Sequence, residues 1–71
     1  MADKLLGWFN HEYEKVLHSG LSNNEKDKQY SDLMTEMEHA FKIPMLGNQE
    51  WEKENRKVIA LYRKISKSRH S

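Results

Sequence analysis

The run HEYEK at residues 11–15 begins as a zinc-binding HExxH helix begins, with a histidine followed by a glutamate that could serve as general base. The second histidine of that motif, one turn further on, would complete the ligand pair. Lys15 stands there instead, so the pair is missing. His11 and His18 are seven residues apart, about 10 Å along a helix axis, too far to share one ion. Glu14 and His18 share a face at i,i+4 and read as an exposed ion pair. His39 falls with Asp32, Thr35 and Glu36 on the polar side of its helix, and His70 lies in the last residues of the chain.

Other chemistries fare no better. Ser19 and Ser22 flank a turn with no base arranged against either, and Gly7, Gly20 and Gly47 are too scattered for a phosphate-cradling loop. A 71-residue helical chain is also expected to have little room for a substrate pocket of several hundred Å³. No catalytic residue, cofactor, metal or small-molecule substrate is therefore expected, and the chain reads as a non-enzyme.

The elements that would position any site follow from apolar spacing. Leu5, Leu6, Phe9, Tyr13, Val16 and Leu17 recur at helical period, behind Asp3 as a candidate N-cap. Gly20 is expected to take the left-handed position that closes this helix, with Leu21 folding back as its apolar contact. Ser22 and Glu25 form a capping-box pattern ahead of the stripe Tyr30, Leu33, Met34, Met37, Ala40 and Phe41. Pro44 pushes Ile43 out of the helical region and should stop the second helix near Lys42. Asn48 is placed to cap a third helix carrying Trp51, Val58, Leu61, Tyr62 and Ile65. Glu52 with Arg56 and Glu38 with Lys42 are spaced as i,i+4 pairs.

The spacing thus predicts an all-α single domain over residues 1–71. It is expected to be a small up-down-up three-helix bundle with helices at about 3–18, 23–42 and 49–67 and a frayed tail from about residue 68. A helical hairpin that dimerises is the rival. The absence of cysteine removes a disulfide staple from a chain short enough to need support. No apolar run approaches the ~18 residues of a membrane span, no secretory leader pattern is present, and the expected location is cytoplasmic.

Charge supplies the remaining signal. The net charge is +1, yet residues 48–71 hold seven bases and three acids, and residues 21–47 hold three bases and five acids. At about 100° per residue, Lys53, Arg56, Lys57, Arg63, Lys64 and Lys67 cluster opposite the apolar stripe of the third helix. That basic face suits either a solvated, dipole-matched helix or a surface for nucleic acid or an acidic partner. It lacks Ser, Thr, Asn or Gln to read base edges, so any nucleic-acid binding would be non-specific. The apolar surplus points elsewhere. Trp8 falls about 100° from the core centre of its helix, and Ile43, Met45 and Leu46 form an apolar loop. Trp8, Ile43, Met45 and Leu46 are the candidate protein-contact residues. The leading expectation is an adaptor- or inhibitor-type interaction module whose partner is another protein or a second copy of the chain. Non-specific nucleic-acid binding through the basic face is the alternative, and no membrane role is expected.

Overall fold

Each helix boundary can be traced to a few side chains in the computed structural model, which describes residues 2–44 and 47–69. The described residues are all-helical, as expected, but they form four helices where three were expected: α1 (Ala2–Leu17), α2 (Asn23–Phe41), α3 (Gln49–Glu54) and α4 (Arg56–Ser68). The predicted helix over 49–67 is divided at Asn55, whose backbone leaves the helical region at φ −128° and ψ 45°. The Asn55 side chain donates from Nδ2 to the Trp51 carbonyl at 2.9 Å. Its backbone N–H is shared between the Trp51 and Glu52 carbonyls, at 3.0 and 3.3 Å. Asparagine is a poor interior helix residue because its amide competes for backbone groups, and here it does so.

The other boundaries divide between expectation and correction. α1 begins at Ala2, so Asp3 lies inside it and is not its N-cap. No glycine among the described residues has positive φ, so Gly20 is not the left-handed closure, and Leu21 is exposed. Two side chains close α1 instead. Ser19 Oγ donates to the Val16 carbonyl at 2.6 Å, and Lys26 Nζ reaches back from α2 to the Leu17 carbonyl at 3.2 Å. The hydroxyl and the ammonium satisfy carbonyls that the helix leaves open, so no left-handed residue is needed.

Ser22 caps α2 by accepting from the Glu25 N–H at 3.2 Å, and Asn48 caps α3 by accepting from the Trp51 N–H at 3.0 Å. α2 ends as Pro44 dictates. The left-handed residue is Lys42, at φ 53° and ψ 49°. Its N–H and that of Ile43 both bond to the Glu38 carbonyl, the single-carbonyl bond of a left-handed helix cap joined by a second from the next residue.

Among the described residues nine apolar side chains are buried: Phe9 and Tyr13 of α1, Tyr30, Leu33, Met34 and Met37 of α2, and Val58, Leu61 and Ile65 of α4. Rings join α1 to α2, Phe9 against Phe41 and Tyr13 against Tyr30, each with centroids 5.6 Å apart. These pairs match early α1 with late α2, so the two helices run in opposite directions. Tyr13 Oη meets Ser68 Oγ at 2.7 Å and ties α1 to the end of α4. The apolar stripe of α4 is thus covered within the chain. α3 contributes no fully buried residue, but its Trp51 packs half-buried against this core. Among the described residues, no helix is long and apolar enough to cross a membrane.

Candidate functional site

Glu52 and Arg63 show what the break at Asn55 accomplishes. They are eleven residues apart, about 16 Å along a straight helix, beyond the reach of the two side chains. In the structure Arg63 Nη2 lies 2.6 Å from Glu52 Oε1. The bend at Asn55 sets α3 and α4 at an angle that lets the two side chains meet. One residue earlier, Tyr62 donates to Glu38 Oε2 of α2 at 2.5 Å. Both carboxylates therefore bond across elements and not to Lys42 and Arg56, the i,i+4 partners expected from sequence.

These two contacts rim a groove of about 400 Å³, walled by Ile43, Pro44, Trp51 and Ile59. Two further open depressions of about 450 and 400 Å³ lie on either side of Lys53 and Arg56. All three are open to the surface and lie where α3 joins α4. Burial, the Tyr62 hydrogen bond to Glu38 and the Glu38 charge, in that order, raise the Tyr62 hydroxyl pKa to about 12, against a smaller opposing effect of Arg69. The groove thus presents two aromatic residues and two carboxylates that already have partners. Among the described residues, no three His, Cys, Asp or Glu side chains gather as metal ligands.

The four expected protein-contact residues separate. Ile43 is half-buried against the core and walls the groove. Met45 and Leu46 lie outside the described residues. Trp8 stands apart on α1, 49% exposed, its ring edge-on to buried Phe9 with centroids 5.0 Å apart. Leu5, one turn earlier, is 40% exposed. The indole is therefore held from below by the core and open above.

Lys53, Arg56, Lys57, Arg63, Lys64 and Lys67 are all exposed. Two have intramolecular partners, Arg63 on Glu52 and Lys64 with its ammonium 5.5 Å from the centre of the Tyr13 ring. Sequence reasoning missed Glu38, Trp51, Glu52 and Tyr62 as members of one groove. It had assumed an unbroken third helix, on which residues 51, 52, 62 and 63 are two separate neighbourhoods. The polar side chain at Asn55, midway along an otherwise regular pattern, was the available signal. Arg69 was also missed. It lies across α2 with Nη1 3.9 Å from Met34 Sδ and with Nε buried and unpaired. Comparison with protein-family models, curated proteins and solved structures gives no match to this chain.

Proposed function

We propose that this chain is a small non-enzymatic protein-interaction module of adaptor or regulatory type. Its scaffold is an up-down-up bundle whose third leg is α3 and α4 together, and the Trp8 edge of α1 is its principal contact. One observation carries this reading: Trp8 remains half exposed beside Leu5, while nine other apolar side chains among the described residues are buried in the core. A tryptophan offers a large, rigid contact area, which is why it dominates binding energy at interfaces. The groove walled by Ile43, Pro44 and Trp51 is a second surface of mixed character.

Non-specific nucleic-acid binding is kept as the second reading because all six cations of the basic face are exposed. Affinity capture from nuclease-treated extract, with three forms of the chain as bait, separates the two. Wild type and the double variant Lys57→Glu, Lys64→Glu should retain the same stoichiometric protein partner, and Trp8→Ser should lose it with helicity unchanged by circular dichroism. Loss in the charge-reversed form, or dependence on intact nucleic acid, would instead support the second reading. Unfolding of Trp8→Ser would show that the indole is structural.

A further inference from the structure

The charges around Trp8 specify what could cover it. Lys4, Trp8 and Glu12 are four residues apart in sequence and form one i±4 ridge along α1, with a cation before the indole and an anion after it. Leu5 flanks the ridge and is 40% exposed. Lys4 is exposed. The Glu12 carboxylate is bonded through Oε2 to Lys15 at 3.5 Å, in a pair whose lysine is 63% and whose glutamate is 28% exposed. Exposed pairs of this kind contribute little on their own, so the Glu12 charge is open to a better partner.

The geometry points to a second copy of this chain as the occupant, its α1 laid antiparallel across the first with the two-fold axis at Trp8. This inference rests on the reading of the Trp8 edge as the contact surface and names its partner. In a two-fold interface, residue i of one copy meets residue j of the other and j meets i. Helices whose i±4 ridges interlock cross at about 50°, which brings the two ridges alongside each other. Run in opposite directions with the indoles at the centre, the ridges place Lys4 of each copy against Glu12 of the other. Two equivalent ion pairs then flank a central Trp8–Trp8 contact, with Leu5 of each copy beside the opposing indole. A parallel pairing would oppose Lys4 to Lys4 and Glu12 to Glu12 and is disfavoured by the same charges. A single helix crossing buries less than the ~1,200 Å² of a standard stable interface, so the dimer is a weak one that forms at high concentration.

Sedimentation equilibrium from about 20 µM to about 1 mM covers the affinities expected of so small an interface. Wild type should shift from the 8.5 kDa monomer toward twice that mass, and the shift should weaken in molar salt. Lys4→Glu and Glu12→Lys, each alone, place like charges at both symmetric positions and should lower the association constant by about tenfold or more. The double swap, Lys4→Glu with Glu12→Lys, restores complementarity and should restore association. Both positions are at the surface, so circular dichroism should be unchanged in all three forms. Recovery in the double swap is the result that a general loss of folding or a different register cannot produce. A wild type that stays monomeric throughout, or a double swap no better than the singles, overturns the inference. If Trp8→Ser nevertheless loses a captured protein, the Trp8 edge remains a contact surface for a different partner. If it does not, both readings fall together.

Discussion

Tyr62 illustrates how one side chain ties the groove to the stability of the whole. Its hydroxyl donates to Glu38, and partial burial together with that carboxylate raises its pKa from 10.0 to about 12. Between those values the unfolded chain releases a proton that the folded chain retains. Unfolding therefore becomes progressively easier, and the stability Tyr62 contributes, intact below pH 10, is lost as pH rises through about 12. Tyr30 acts in the same direction, its pKa raised by burial, then by Tyr13 and Asp27. Tyr62→Phe should cost about 0.5–1.5 kcal/mol at neutral pH through the lost hydrogen bond. The gap between wild type and variant should narrow in urea melts taken from pH 10.0 up to about 12, between the unfolded and folded pKa values of Tyr62. A constant gap across that range would mean the bond to Glu38 contributes nothing to folding. None of this was legible in the sequence, because residues 38 and 62 meet only through packing.

The elements themselves were largely legible, and the exceptions share a cause. Ser22, Asn48 and Pro44 act through local chemistry that spacing alone reveals: a side-chain oxygen facing open N–H groups, or a missing N–H. Gly20 and Asn55 were misjudged because their roles depend on competition. Gly20 could have closed α1, but Ser19 and Lys26 reach the same carbonyls first. Asn55 could have stayed helical, but its amide captured the Trp51 carbonyl. The left-handed residue appears at Lys42, which carries a Cβ into a region that glycine enters without penalty. Lys42→Gly should therefore stabilise the fold by about 0.5–1 kcal/mol by easing the turn that sets Ile43 against the core. Chemical denaturation would show this as a higher midpoint with an unchanged slope. A lower midpoint would mean that the lysine chain itself packs in a way that outweighs the backbone cost.

For the molecule as a whole, the question is whether its uneven charge serves recognition or solubility. Residues 48–71 carry the net positive excess of the chain, and that imbalance was fully legible. Its availability was not, since Glu52 and Tyr13 engage Arg63 and Lys64 from elements distant in sequence. Lys53, Arg56, Lys57 and Lys67 form no such contact among the described residues. Four cations neutralising four phosphates correspond to a slope of about −3.6 in log affinity against log salt, or about a hundredfold loss between 50 and 200 mM. Starting from the weak affinity of a chain with net charge +1, little binding survives at physiological salt. Fluorescence anisotropy with labelled duplex and single-stranded DNA should accordingly show no saturable binding at about 150 mM salt, and any complex at about 20 mM should weaken with a slope no steeper than about −4. Saturable binding at physiological salt with a slope of about −5.4 would mean that Arg63 and Lys64 leave their intramolecular partners for phosphate. The basic face, and not the Trp8 edge, would then be the working surface of the molecule.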